Sequence, residues 1–384
     1  MVQLVFVHGV SVRKGSDYGR YETSVASRHD AFKKYCFQSH TVEFHEPYWG
    51  EHGATLALDG ISIPTSRSQS SSLSLSDEQS KSLELNEDSH ILLQAAKTDF
   101  EAVLSAITEL LSSQNSELCN DELANHLSDY LVRREDETGK IVTPEWLQES
   151  EISNDIAFIE RLRRELPVSD EKTALGLFDP LKAAGSRILG ATVKLVDGPI
   201  EKLVKKATPN LAIFIGDAFV YLKNGSQRDR IRSTVRTSLL RAAHNAKKTG
   251  EKLIVIGHSM GANILYDMLS DTEYTDDIES ELGGRFNIDL FLSVGTQVGL
   301  FQELSLFENS QFGVTDCPNK ISNWWHVYNK MDVLSFATSG IFQNVKEFHI
   351  DTRANIIDAH TAYFTSPIFH KKLRKRLISS GMID

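Results

Sequence analysis

Cysteine is scarce in this chain. Cys36, Cys119 and Cys317 are the only three in 384 residues, and no two of them form a Cys-x-x-Cys pair. An odd number of widely separated thiols argues against a disulfide framework and gives no support for a zinc site. We therefore expect no bound metal, and a protein that works in a reducing compartment.

The chain also lacks a surplus of positive charge and any long apolar run. Its 41 Lys and Arg residues are outnumbered by 52 Asp and Glu residues, which gives a net charge of −11. This balance argues against nucleic acid as a partner, because binding to phosphates needs clustered basic side chains. No stretch approaches the ~18 apolar residues of a membrane span, and the short N-terminal apolar run lacks the features of a signal peptide. These absences predict a cytoplasmic protein, with peripheral membrane contact at most.

What the chain does have is a series of short apolar segments, most of them followed by helical patterns. The first segment, 4–7, precedes a helical pattern over 19–36. Alternation of this kind predicts a mostly parallel, doubly wound α/β sheet with flanking helices. The predicted strands are 4–7, 40–45, 252–257, 288–295, 323–329 and 345–350.

The middle of the chain has a different composition. Residues 61–89 are rich in serine, which is typical of a linker. Residues 90–206 look mostly helical, with helices predicted over 120–134 and 144–165. Within them, 174–206 mixes apolar residues with lysines and is interpreted either as an amphipathic lid that meets lipid or as a helix packed on the main domain.

These shifts in composition define two parts of the chain. The sheet pattern resumes near Asn210, with a largely apolar stretch over 211–222. We therefore predict a main domain formed by 1–50 and 210–384 and a large helical insert over 51–209.

The strongest local motif is Gly257-His258-Ser259-Met260-Gly261. It follows an apolar strand pattern and precedes a helical one, which is the context of a G-x-S-x-G nucleophile elbow. Glycines suit this turn because side chains would clash in so sharp a bend. The motif predicts an exposed serine hydroxyl at a helix N-terminus, where the helix dipole supports a developing anion.

A second motif, His8-Gly9-Val10, ends the first strand. Acyl transfer needs two donors aimed at the oxygen that becomes negative. We assign one to the backbone N–H of Met260, the residue after the serine, and the other to the backbone N–H of Val10. The alternative for this motif is a tight turn with a buried histidine.

A serine hydroxyl is weakly nucleophilic until a base accepts its proton. After an elbow of this type the acid and the histidine follow in chain order, each in a loop after a late strand. Asp332 and His360 meet both conditions. Asp316, Asp351 and Asp358 are the competitors for the acid, while His349 lies in a strand pattern and His370 in a basic helical run.

These motifs resemble those of α/β-hydrolase serine esterases and lipases, and more narrowly the serine-esterase and intracellular phospholipase A1-like branch. The resemblance covers roughly 1–50 and 210–370, and beyond the elbow it includes Gly216-Asp217, Tyr266-Asp267 and the segment 293–301. It implies an α/β-hydrolase fold with a Ser259–His360–Asp332 triad. The chain departs from the pattern where Thr296-Gln297 replaces Ser-Pro and where Val333 replaces a proline after the acid.

The expected activity is hydrolysis of carboxylic esters through an acyl-enzyme, with no cofactor. We assign His8, His258 and Gln297 to substrate binding. A lipid or phospholipid ester is the first choice of substrate, because the resemblance implies it and the insert could form an apolar roof. A small soluble ester or thioester is the alternative.

The expectations about partners concern the insert and the C-terminal helix. The insert could bind a second copy of the chain or a partner protein, which would make the protein a regulated hydrolase effector. The basic run 370–376 could touch anionic lipid headgroups, although a solvated helix face is the favoured interpretation.

Overall fold

The protein is built on one six-stranded sheet. In a computed structural model, which describes residues 1–14, 21–55, 90–112, 120–137, 139–166, 179–186, 213–310, 313–352 and 359–384, every strand is parallel to its neighbours. The spatial order of the strands is β2-β1-β3-β4-β5-β6. Their bounds are β1 (Val2–Val7), β2 (Val42–His45), β3 (Lys252–His258), β4 (Leu290–Val294), β5 (Trp324–Tyr328) and β6 (Val345–His349).

Helices cover both faces of this sheet. The described helices are α1 (Tyr21–Ala31), α2 (Ile91–Thr98), α3 (Phe100–Ser112), α4 (Asp121–Arg133), α5 (Asp155–Glu165), α6 (179–186), α7 (213–222), α8 (Ser226–Thr249), α9 (Met260–Ser270), α10 (Thr272–Leu282), α11 (Val298–Glu303) and α12 (Pro367–Ser379).

The central strands are buried on both sides. In β1, Leu4 and Phe6 join the hydrophobic cluster on one face, while Val5 and Val7 join the cluster on the other. Successive side chains of a strand point to opposite faces, so a strand with helices on both sides must be apolar at every position. The predicted α/β class with a parallel sheet and flanking helices is confirmed.

Local boundaries differ from the sequence prediction in three places. The helix predicted over 19–36 changes at Phe32–Phe37 into a π-helix. The helix predicted over 144–165 is a 3-10 turn at Glu145–Gln148 followed by α5, because the Asn154 side chain accepts the Ala157 N–H at 2.8 Å and caps a new helix there. The apolar stretch 211–222, assigned to the sheet pattern, is helical over 213–222.

The described part of the insert shares a core with the sheet. Side chains of α2 to α6 belong to the same hydrophobic cluster as Leu4 and Phe6, and α3 and α4 pack against α12. The interpretation of 370–376 as a solvated face is wrong. Lys371 and Lys372 are buried against insert helices, where their ammonium groups contact Asp129 at 2.5 Å and Glu101 at 2.6 Å.

Several predictions fall on residues outside the described ranges. They are the serine-rich segment 61–89, most of 174–206, and the single residues Cys119 and Asp358. Among the described helices, none combines the length and the apolar character needed to cross a membrane.

Candidate active site

The turn that carries Ser259 is strained and tightly enclosed. Ser259 joins β3 to α9 with φ 51° and ψ −127°, a backbone conformation that costs a non-glycine residue ~1–3 kcal/mol. A Cβ on Gly257 would lie 2.5 Å from Cα of Ala262, and one on Gly261 would lie 2.2 Å from the carbonyl oxygen of Val7. Only glycine fits at either position, as the motif predicts.

Asp332 and His360 lie together at the same end of the sheet. Asp332 follows β5 and His360 comes after β6. The imidazole Nδ1 of His360 is 3.0 Å and 2.9 Å from the two carboxylate oxygens of Asp332, so Nδ1 carries the hydrogen and donates it. This bond leaves Nε2 of His360 as the free acceptor of the ring, which is the tautomer that a general base needs.

Two further groups hold the Asp332 carboxylate. It accepts the Leu334 N–H at 3.0 Å and the Tyr363 hydroxyl at 2.9 Å. Burial by itself raises the pKa of Asp332, but the bonds and charge from His360, with those from Leu334 and Tyr363, outweigh it and hold this pKa below its usual value. The carboxylate therefore stays ionised beside the imidazole.

The two atoms that would exchange a proton are both unsatisfied. Oγ of Ser259 and Nε2 of His360 are buried, and neither has a hydrogen-bond partner among the residues that the structure describes. Buried polar atoms without partners are rare and call for an explanation. Catalysis explains both atoms. The Ser259 hydroxyl can donate a hydrogen bond to Nε2 of His360, or either group can bind a substrate.

Gly9 lies next to Ser259 and also lines a cavity together with His360. A Cβ on Gly9 would lie 2.9 Å from Cβ of Ser259, so the Gly9 backbone covers the serine, whose side chain is fully buried. The prediction of an exposed serine hydroxyl is therefore wrong, because the backbone of the segment after β1 encloses Ser259.

His8 fixes the segment that covers the serine. Its Nδ1 donates to the Gly9 carbonyl at 2.7 Å, and its Nε2 accepts the Trp49 N–H at 3.3 Å. The ring also stacks on Trp49, with centroids 4.9 Å apart. Burial lowers the pKa of His8 to about 3. The histidine is therefore a neutral clamp at the cavity wall, with both ring nitrogens already engaged.

His258 holds the backbone of His360, the proposed base, in place. Its Nε2 donates to the backbone carbonyl of His360 at 2.7 Å, and the two rings lie 4.9 Å apart. Burial, followed by the charge on His360, lowers the pKa of His258 to about 3. It lines the cavity as well, so it contacts both the backbone of His360 and the space available to a substrate.

Gln297 lies away from the cavity lining. Its amide oxygen accepts from Asn263 at 2.9 Å, and its amide nitrogen donates to the carbonyl oxygen of Leu334. These contacts join α9 to the loop that carries Asp332. They favour a supporting role over the substrate-binding role predicted from the motif.

The expected oxyanion donors occupy suitable elements. Met260 is the first residue of α9, where the backbone N–H groups of the first turn have no partner within the helix. Val10 lines the cavity beside Gly9. The segment that carries Val10 is tied down by Asp217, which is fully buried. Its carboxylate accepts the Ser11 N–H at 3.1 Å, the Arg13 guanidinium at 2.6 Å and the Ala54 N–H at 2.6 Å.

The cavity lined by Gly9, Val10 and His360 measures about 410 Å³. One wall comes from α1, another from the segment after β1, and a third from the residues around His360. Its lining residues are Phe6, His8, Gly9, Val10, Val12, Thr23, Ser24, Ser27, Arg28, His258, His360, Thr361, Phe364 and Thr365. Hydroxyl groups and imidazoles therefore outnumber apolar side chains around the space that a substrate would occupy.

Tyr363 and Asp217 are the site residues that sequence reasoning missed. Tyr363 stands three residues after His360, and no motif marks its hydroxyl as a partner of the acid. Asp217 was noted only as part of a resemblance, and its contacts come from segments more than 160 residues away in the chain. No group of three or more His, Cys, Asp or Glu residues able to hold a metal occurs within the described ranges.

A comparison with known protein families finds no family that matches this chain, and a comparison with curated proteins finds no relative. The resemblance described above depends on the quoted motifs.

Proposed function

We propose that the protein is a serine ester hydrolase of the α/β-hydrolase type. The observation that carries the proposal is the free Nε2 of His360, held in the basic tautomer by Asp332, in the same region as the unpaired Oγ of Ser259. The strained turn at Ser259 supports it, because backbone strain in proteins clusters at reactive groups.

The reaction uses side chains and backbone N–H groups of this chain. Ser259 Oγ attacks the ester carbonyl while Nε2 of His360 takes its proton, and Asp332 stabilises the imidazolium that forms. The N–H groups of Val10 and Met260 stabilise the tetrahedral oxyanion. His360 returns the proton to the leaving alcohol, and water activated by the same histidine then releases the acid from the acyl-enzyme.

The lining of the cavity bears on the substrate. A lipid ester, the first choice from the sequence, would place its acyl chain against the hydroxyls of Thr23, Ser24 and Ser27 on α1. The same cavity is also lined by the apolar side chains of Phe6, Val10, Val12 and Phe364. This mixed lining accommodates either ester, so the dependence of turnover on acyl chain length decides between a lipid ester and a small soluble ester or thioester.

A series of p-nitrophenyl esters from acetate to palmitate tests the activity and the chain length together. We expect turnover within this series and a loss of at least about 10³-fold in Ser259→Ala. The chain length of the best substrate separates a lipid ester from a small one. Ser105→Ala is the matched control, because Ser105 also has a buried hydroxyl without a partner among the described residues but lies on α3 of the insert. An active Ser259→Ala protein would overturn the proposal.

A further inference from the structure

Arg28 gives the cavity a charge that ester hydrolysis alone does not require. Among the described residues that line the cavity, it carries the one permanent charge, and no carboxylate belongs to that lining. We infer that the cavity binds an ester whose acid or alcohol part carries an anionic group, a carboxylate or a phosphate, and that Arg28 contacts this group. The inference rests on the proposed function, since it names the substrate class of the same site.

The guanidinium of Arg28 is fixed before any substrate arrives. Its Nε donates to Glu46 at 3.2 Å, and its Nη2 donates to the other oxygen of the same carboxylate. Its Cζ lies 3.9 Å from the centroid of the Phe6 ring. A cation held in this way loses little entropy when it binds a ligand. Glu46 also accepts a hydrogen bond from His29 at 2.8 Å, so its carboxylate has a second donor besides Arg28.

One edge of the guanidinium is nearly unused. Among the residues that the structure describes, Nη1 of Arg28 has a single long contact, 3.4 Å, with the hydroxyl of Ser24. Both Ser24 and its neighbour Ser27, one turn along α1, line the cavity. A guanidinium edge with hydroxyl groups beside it matches the geometry of a carboxylate or phosphate, which accepts several hydrogen bonds at once.

The position of this charge relative to the reacting groups supports the inference. Burial is the main reason for the low pKa values of His8 and His258, and the Arg28 charge lowers both further. Arg28, His8, His258 and His360 also line the same cavity. An anion bound at Arg28 would therefore share this cavity with His360, the proposed base.

A pair of esters that differ at one end of the acyl chain, a carboxylate in one and a methyl group in the other, tests the inference. Mono-p-nitrophenyl glutarate and p-nitrophenyl valerate have the same number of carbons, and only the first carries a carboxylate. We expect kcat/KM for the glutarate to exceed that for the valerate by about tenfold or more, the smallest factor expected of a charge-assisted hydrogen bond. In Arg28→Gln this ratio should fall about tenfold.

Two further variants keep the result interpretable. Glu46→Gln removes the partner of Arg28 but leaves the cation, so the preference for the acidic ester should persist or increase. Arg28→Gln by itself leaves the Glu46 carboxylate buried without a cation and can therefore fold poorly. The double variant Arg28→Gln with Glu46→Gln avoids this problem, and it should lose the preference for the acidic ester. Equal kcat/KM for the two esters in the unmodified protein, or an unchanged ratio in the double variant, would overturn the inference.

Vesicles distinguish the two sources of such an anion. Release of fatty acid from phosphatidylglycerol vesicles but not phosphatidylcholine vesicles, lost in Arg28→Gln, would support the inference with a lipid headgroup as the source. Turnover of the glutarate ester alone would support it with a small soluble acid. Labelling of Ser259 by a neutral fluorophosphonate separates the proposed hydrolase from the proposed preference for anionic esters. Labelling persists if only the preference is absent, and it fails if the protein is not a serine hydrolase.

Discussion

At the scale of single residues, Tyr363 gives a test of the acid. Its hydroxyl donates to Asp332 at 2.9 Å, and Tyr221 makes an equivalent buried bond to Asp267 at 2.7 Å on another part of the fold. Tyr363→Phe should lower kcat about three- to tenfold, because Asp332 holds the imidazole less firmly. Tyr221→Phe is the matched control and should cost similar stability, ~1.5–3 kcal/mol for a bond to a charged group, with kcat unchanged. Ester turnover and thermal unfolding of both variants check this, and an equal loss of kcat in the two would contradict it.

At the scale of elements, the segment after β1 depends on Asp217. Asp217→Asn leaves the Arg13 guanidinium without a carboxylate and weakens the hold on the Ser11 and Ala54 N–H groups. We expect kcat to fall about tenfold or more while KM changes little, because the oxyanion donor at Val10 is displaced mainly in the transition state. Asp267→Asn, at another buried aspartate paired with arginine, should destabilise the fold without this selective loss. If both variants lose kcat equally, Asp217 has only a structural role.

The docking of the insert is a second property of elements. Glu135, whose side chain is 2% exposed, lies 2.8 Å from Arg376, 3.4 Å from Lys375 and 3.8 Å from Lys372 on α12. Glu135→Ala removes the carboxylate that Arg376 contacts, while Lys372 keeps Glu101 and Lys375 is partly exposed. It should lower the free energy of unfolding by ~1.5–3 kcal/mol, the range for a hydrogen bond to a charged group. Lys34→Ala breaks a pair in which both side chains are about half exposed, and it should change stability by less than ~1 kcal/mol. Chemical denaturation of both variants measures the difference, and equal effects would contradict the buried network.

The elements also show how far the sequence could lead. The continuous apolar runs of β1 and β3 and the glycines around Ser259 predicted the sheet and the strained turn, because their physical causes are local. The stretch 213–222 was assigned to the sheet pattern because short apolar runs fit a strand or a buried helix equally well. Lys371 and Lys372 looked solvated because their partners, Asp129 and Glu101, lie more than 240 residues away in the chain. Such contacts depend on tertiary packing, which no local pattern records.

At the scale of the whole molecule, buried histidines make stability depend on pH. Burial lowers the pKa of His8 and His258 to about 3, and of His326 and His370 to about 4. Between these values and ~6.5 the unfolded chain binds protons that the folded chain does not, so stability is complete above ~6.5 and is lost as the pH falls. Each histidine contributes a slope of ~1.4 kcal/mol per pH unit in that window.

Thermal unfolding measured between pH 7.5 and pH 4.5 checks this expectation. The midpoint should fall steadily below ~pH 6.5. In His370→Phe the slope should be smaller by about one proton, since that ring lies in the apolar cluster against Phe32, with centroids 4.6 Å apart. A midpoint that stays constant down to pH 5 would contradict the burial of these rings in the neutral form.

The most direct test of the whole account is the site of reaction with a fluorophosphonate, mapped by mass spectrometry of the digested protein. We expect a single adduct on Ser259, formed at least about 10²-fold more slowly in His360→Ala. Absence of an adduct on the folded protein, or an adduct on another serine, would contradict the claim that Ser259, His360 and Asp332 act as one catalytic unit.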